Sequence, residues 1–181
     1  MEYSQKIIAK DGREVWLRNA AASDAGAVLE NFNRTHEETD YLLSYPDENQ
    51  RGPEQESVLL QHKAESPNEI ERMALVDGAV VGTAGIDAVG TKYKVRHRAE
   101  FGISVLKEYW GLGIGRALMD ACIRCAREAG YSQLELDVVA DNARAIAMYT
   151  KAGFVEYGRN PKGFQSRTAG FQELIFMRLE L

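Results

Sequence analysis

Three glycines, Gly111, Gly113 and Gly115, separate a strand-like run from a long amphipathic run, and no other stretch restricts the fold of this chain as much. Ala99 to Val105 (A-E-F-G-I-S-V) reads as a strand. After the glycines, apolar residues recur at helical spacing: Ile114, Leu118, Ala121, Cys122, Cys125 and Ala129. Gly130 then stands where a helix end favours a left-handed residue. Glycine turns tightly and lets backbone N–H groups approach a ligand. The first turn of the helix adds unpaired N–H groups and the positive end of its dipole. Strand, turn and helix together make an anion site suited to a phosphate.

The common nucleotide fingerprints do not fit this turn. G-x-G-x-x-G counted from Gly111 requires glycine at the position of Arg116, and counted from Gly113 at the position of Leu118. No G-x-x-x-x-G-K-[ST] is present either. A second element narrows the ligand. Asn142 opens N-A-R-A-I-A-M-Y-T-K-A-G-F, and Tyr149 lies about two helical turns later, so both side chains project from roughly one face.

The remaining chain supplies a scaffold. Glu14 to Arg18 alternates as a first strand, and Ala22-Ser23-Asp24 caps a helix over about Ala25 to Thr35. An acidic, aromatic segment from His36 to Asn49 follows, with regular structure ending at Pro46. Pro53 starts a second helix with Val58, Leu59 and His62 along one side, and Ser66-Pro67-Asn68 ends it. Met73 to Val76 and Ala79 to Gly82 form a hairpin about Asp77-Gly78, a pair that tolerates φ > 0. Thr91 to Arg98 is a basic loop or strand edge. Leu134 to Val139 is a strand, Ala143 to Ala152 a helix, and Phe154 to Tyr157 and Glu173 to Leu179 the last strands. Gly158 to Gly170 reads as a polar, mobile loop. The order β-α-α-β-β-β-α-β-α-β-β predicts an α/β (α+β) fold, one domain over 1–181 with a mixed sheet flanked by helices.

Composition removes several classes of function. A net charge of −5 disfavours non-specific nucleic-acid binding. No apolar run approaches the roughly 18 residues of a membrane span, and the first residues lack a secretory pattern, so a cytoplasmic protein is expected. Cys122 and Cys125 have C-x-x-C spacing, but no second pair exists and His36, His62 and His97 show no ligand spacing. Both cysteines fall within the helical pattern and read as small core residues.

The strand E-F-G-I-S-V, the turn G-L-G-I-G-R with its helix, and the Asn142…Tyr149…Gly153-Phe154 element together resemble the GNAT-type acyl-coenzyme A N-acyltransferases. The N-terminal E-V-W-L-R-N-A-A-A-S-D and the D-G-x-V-V-G hairpin also fit. The resemblance implies acetyl-CoA as co-substrate and no metal. It implies direct attack of a primary amine through a tetrahedral intermediate. Pantetheine would pair with the backbone at Ile103, Ser104 and Val105, with an oxyanion donor at the N–H near Val105. The pyrophosphate would lie on Gly111, Leu112, Gly113, Ile114, Gly115 and Arg116. Tyr149 would protonate the departing thiolate; the plainer reading is a core aromatic. Asn142 would bond the cofactor, cap its helix, or both. The chain departs from the pattern at Trp110, where Arg or Gln is usual.

An amine near pKa ~10.4 must lose a proton before it attacks. Glu100, on the strand entering the site, is the candidate acceptor, Asp137 its competitor and water a third carrier. The plainer reading pairs each carboxylate with a neighbouring cation, Arg98 in the case of Glu100. Glu37, Glu38, Asp40, Asp47 and Glu48, with Tyr41 and Tyr45, form either an ammonium cradle or a solvated face. H-R-A-E-F-G-I-S-V and Y-W-G-L-G-I-G resemble the branch that includes ribosomal-protein and polyamine acetyltransferases, which leaves the acceptor open among a small molecule, a polyamine and a peptide N-terminus. A homodimer follows by analogy alone. The alternative function is a non-catalytic acyl-CoA-binding or regulatory module.

Overall fold

The computed structural model describes residues 3–181. Its elements are β1 (Ser4–Ile8), β2 (Glu14–Asn19), α1 (Ala25–Glu38), α2 (Pro53–Glu65), β3 (Ile70–Val76), β4 (Ala79–Ala88), β5 (Arg98–Val105), α3 (Ile114–Glu128), β6 (Gln133–Val139), α4 (Ala143–Ala152), β7 (Val155–Ser166) and β8 (Gly170–Glu180). Short 3₁₀ turns occupy Ala22–Asp24, Pro46–Glu48 and Lys107–Tyr109. One mixed sheet runs in the order β1-β2-β3-β4-β5-β6-β8-β7, and β5 with β6 is its parallel pair.

Alternation along the strands sorts the core into two layers. Ile70, Ala74 and Val76 of β3 join Ile86, Phe101, Leu134 and the buried side of α3. Met73 and Leu75, which point the other way, pack with Ala25 and Val28 of α1 and Leu60 of α2. The helices therefore cover opposite faces of the sheet, with α3 behind β3, β4 and β5 and the α1–α2 pair in front. Cys122 and Cys125 lie buried on α3, where burial pushes both thiols up from the usual range and leaves them poor nucleophiles.

Several local expectations differ from the structure. β1 precedes the first expected strand and pairs antiparallel with it from Ser4↔Arg18 to Ile8↔Glu14. α1 continues through His36 to Glu38. Asp24 does not cap α1; it accepts the Ala21 N–H at 2.8 Å and pairs with Arg18, so it closes the preceding 3₁₀ turn. Pro46 opens a 3₁₀ turn rather than ending regular structure. α2 buries Glu56, Leu60 and Lys63 and leaves Val58 exposed. Lys63 lies 3.1 Å from Glu71 and 2.8 Å from Asp87, so an ion-pair cluster replaces the apolar stripe. The stretch 158–170 is mostly strand, with only Arg167 to Ala169 turning between β7 and β8. Pro161 is accommodated because β7 is an edge strand and its register shifts between Asn160 and Phe164.

Candidate active site

Two neighbouring strands separate at the centre of the sheet. β5 and β6 pair only from Arg98↔Gln133 to Glu100↔Glu135, whereas β5 stays paired with β4 as far as Val105↔Gly82. From Phe101 to Val105 the edge of β5 facing β6 has no strand partner. The glycine turn begins just beyond. Gly111 and Gly113 have φ of +79° and +94°, a region costly for side-chain-bearing residues. A Cβ at Gly113 would meet nothing within 4 Å, so the backbone angle, not space, requires glycine there. Gly113 is also the residue from which α3 departs. The turn is held from outside: Lys10 N–H donates to the Leu112 carbonyl (3.0 Å), and Lys107 N–H donates to Glu38 Oε2 (2.6 Å).

Strand edge, turn, α4 and the end of α1 enclose a cavity of about 660 Å³, within the usual range for ligand sites. Ile103, Ser104 and Val105 form one wall, Gly111, Gly113, Gly115 and Arg116 the next, and Asn142, Arg144 and Tyr149 a third. Thr35, Thr39, Tyr41 and Leu42 close the far side. Of the pyrophosphate positions, Leu112 and Ile114 do not line the cavity; Ile114 is wholly buried in the core. Asn142 caps α4, its Oδ1 accepting the Ala145 N–H at 3.2 Å, and lines the cavity as well.

Tyr149 is 7% exposed. Its ring packs edge-on to Phe101 (6.3 Å between centroids, 88°) and against Phe154 (5.8 Å). Among the described residues no group hydrogen-bonds its hydroxyl, and the residue lines the cavity. Burial pushes the phenol above its ordinary range, so it stays protonated throughout the neutral region.

The cavity is cationic although the chain is acidic. Lys10, Arg116, Arg144 and Lys151 line it, and among the described residues no Asp, Glu or His does. Glu100 is not brought to the cavity. It is exposed on β5, opposite Asp87 and Glu135, four residues and thus about 13 Å along the strand from Ser104. Arg98 pairs with Glu135 instead, Nη2 to Oε2 at 2.7 Å. Asp137 is exposed on β6 and also lies outside the cavity; partial burial and then the Glu135 charge push its carboxyl up.

The acidic segment is engaged elsewhere. Glu38 holds the Lys107 N–H, Asp47 pairs with Arg167 at 2.8 Å, and Glu48 accepts the Tyr45 N–H at 2.7 Å. Asp40 accepts from the Ser166 hydroxyl and from the Tyr45 hydroxyl at 2.6 Å, and these bonds hold its carboxyl below the usual range. Asp40 thus latches the α1–α2 segment to the β7–β8 turn, between the cavity-lining Thr39 and Tyr41. None of these carboxylates lines the cavity.

Sequence reasoning passed over Lys10, Thr35, Thr39, Leu42, Arg144 and Lys151. Lys10 reaches the site only through the β1–β2 hairpin, which no local pattern disclosed. Arg144 stands two residues after Asn142, inside the element already singled out. Trp110 acquires a structural account. Its indole N–H donates to the Val105 carbonyl at 2.6 Å, and Arg144 lies over its ring, 5.1 Å from the centroid.

Comparison with known proteins places this geometry in context. The profile of the Acetyltransferase (GNAT) family matches residues 31–154. The L-amino acid N-acetyltransferase AaaT of Escherichia coli K12 is 37% identical over 115 residues, covering 63% of this chain and 70% of that protein. The N-alpha-acetyltransferase of Sulfurisphaera tokodaii is 29% identical over 166 residues, 86% of this chain and 87% of its own length. A crystal structure of a GNAT-family acetyltransferase from Streptococcus pneumoniae superposes with a TM-score of 0.88 at 28% identity, covering 92% of this chain and 99% of that one.

Proposed function

This chain belongs to the acetyltransferase (GNAT) family, and on that premise we propose that it transfers the acetyl group of acetyl-CoA to the α-amine of a free amino acid or of a peptide N-terminus. One observation carries the reading: a single cavity joins the open edge of β5, the glycine turn at the start of α3 and the buried Tyr149 side chain. The fit to acetyl-CoA is physical. Positive-φ glycines and an unpaired helix N-terminus suit its phosphates, the cationic walls suit its charge, and Ile103 to Val105 offer backbone groups to pantetheine. The relatives named for L-amino acid and N-alpha acetylation support the acceptor class. A polyamine fits less well, because no carboxylate lines the cavity to receive further positive charge.

In this reading the amine nitrogen attacks the thioester carbonyl and gives a tetrahedral intermediate. The backbone N–H near Val105 stabilises the oxyanion. As the C–S bond breaks, Tyr149 donates its phenolic proton to the leaving sulfur. The ammonium proton passes to water, since Glu100 and Asp137 both stand outside the cavity. A second proton leaves the nitrogen of the tetrahedral intermediate through water and reprotonates Tyr149, so the ammonium form of the substrate yields amide, free thiol and one released proton.

A thiol-release assay with acetyl-CoA tests this against L-amino acids, peptides of free and blocked N-terminus, polyamines and aminoglycosides. Turnover of free α-amines, lost on blocking, is the expected result. Turnover confined to polyamines overturns the acceptor class. No turnover with CoA binding retained leaves a non-catalytic binding module.

A further inference from the structure

The turn that would hold the phosphates carries no uncommitted cation of its own. Arg116, at its end, directs Nε to both carboxylate oxygens of Asp120 at 2.8 and 2.9 Å. The neighbouring cation, Arg144, comes from a different element. Its Nη1 lies 3.7 Å from the point a Cβ on Gly111 would occupy, so the guanidinium overhangs the first glycine of the turn. Among the described residues no carboxylate pairs with it. Its place in α4 is electrostatically awkward: it is the second helical residue after the Asn142 cap, where the helix dipole is positive. A cation there raises the local energy unless an anion faces it.

Trp110 resolves how an exposed arginine stays in such a place. The indole N–H bond to the Val105 carbonyl fixes the ring at the end of β5, and the ring face then supports the guanidinium. A planar guanidinium stacks on an aromatic face while its N–H groups remain free at the edge, an arrangement that matches two phosphate oxygens at once. Lys10 and Lys151 also line the cavity, but neither stacks on an aromatic ring there.

We infer that Arg144, seated on Trp110, binds the diphosphate of the acyl donor and is a specificity-determining residue for phosphorylated over unphosphorylated thioesters. Trp110 is its positioning residue. The inference rests on the reading that the cavity takes acetyl-CoA. It assigns to α4 a binding group that the glycine turn does not supply, and it joins Asn142, Arg144 and Tyr149 on one helix as cap, phosphate ligand and proton donor.

Three donors test it: acetyl-CoA, acetyl-(3′-dephospho)-CoA and S-acetylpantetheine, with wild type, Arg144→Gln, Trp110→Leu and the double variant. Arg144 is exposed, so Arg144→Gln leaves the core intact. Arg144→Gln is expected to lower kcat/KM about tenfold or more for both phosphorylated donors, the size of one charge-assisted contact. For S-acetylpantetheine it is expected to change kcat/KM by less than about twofold, because that donor lacks the diphosphate. Trp110→Leu should show the same donor pattern, and the double variant should be little worse than either alone, since both remove one interaction. Trp110→Phe keeps the ring face without the N–H and should fall between, which covers the case of Trp110→Leu failing to fold. An equal loss with S-acetylpantetheine overturns the inference in favour of a general structural role. A loss confined to the 3′-phosphorylated donor overturns the diphosphate assignment. Calorimetric CoA binding separates the two levels: wild type that does not bind CoA sinks the acetyl-CoA reading, whereas wild type that binds while Arg144→Gln binds equally sinks only the role of Arg144.

Discussion

Replacing Tyr149 with phenylalanine removes one oxygen atom from the cavity and little else. The hydroxyl makes no hydrogen bond within the described residues, and the ring contacts with Phe101 and Phe154 survive the change. Folding should therefore be nearly untouched, with Tm shifted by no more than a few degrees. Catalysis should not be. A hydrogen bond to a group that becomes charged contributes about 1.5–3 kcal/mol net, which corresponds to roughly tenfold to a hundredfold in kcat. Burial keeps Tyr149 protonated but also makes it a weak acid toward a thiolate of pKa about 8.5. The gain thus comes from donation as charge develops on sulfur, not from a proton handed over beforehand. Wild type should show no alkaline loss of kcat from this phenol until pH exceeds the ordinary tyrosine value of about 10. Thiol release under saturating substrates, CoA calorimetry and a thermal melt together decide the matter. An unchanged kcat removes Tyr149 from the chemistry. A fall in kcat matched by equal losses in CoA affinity or Tm makes it a packing residue.

Three further outcomes follow from the geometry. Gly113→Asp should weaken CoA binding at least tenfold by calorimetry, because φ of +94° strains any side-chain-bearing residue and the new carboxylate would face the proposed diphosphate site; unimpaired binding would mean the turn is not the phosphate site. Asp40→Asn weakens the charge-assisted bonds to Ser166 and Tyr45, so the KM of the amine should rise several-fold while that of acetyl-CoA holds; equal rises in both would deny the latch its place on the acceptor side. His36 is stacked on Phe32 with Nδ1 2.8 Å from the Phe32 carbonyl, and burial lowers its pKa below the usual ~6.5. Its contribution to stability is complete above that value and lost as pH falls from it through the lower folded pKa, so Tm should decline across this window and His36→Gln should flatten the decline.

Where local chemistry decided local structure, the sequence was legible. The Asp77-Gly78 turn adopts φ of 50° and 82°, left-handed Gly130 follows α3 as expected, and Asn142 caps α4. The α2 face was not legible, because two of its three buried residues are Glu56 and Lys63, and their partners Arg51, Glu71 and Asp87 come from a neighbouring loop and from other strands. β7 was misread because Asn160, Pro161 and Gly163 signal a loop, whereas an edge strand with a shifted register tolerates them. In the candidate site, the backbone-defined half could be anticipated from the glycines. The half made by Lys10, Arg144 and the end of α1 depends on where separate elements meet, and no spacing in the chain encodes that.

The parting of β5 and β6 gives the sheet an edge in its middle. Most proteins confine such edges to the rim and blunt them, as Pro161 does on β7. Here the β5 edge from Phe101 to Val105, its last carbonyl held by the Trp110 indole, lacks a strand partner in the middle of the sheet, along residues that from Gly102 onward are exposed or half-buried. A sheet with an incomplete ladder leaves part of its cohesion to be supplied by whatever lies in the gap. A bound pantetheine arm would act mechanically as an additional, non-peptide strand. Occupancy would then raise the melting temperature with ligand concentration and slow amide exchange selectively along β5. By this account, substrate binding and the final annealing of the sheet are one event.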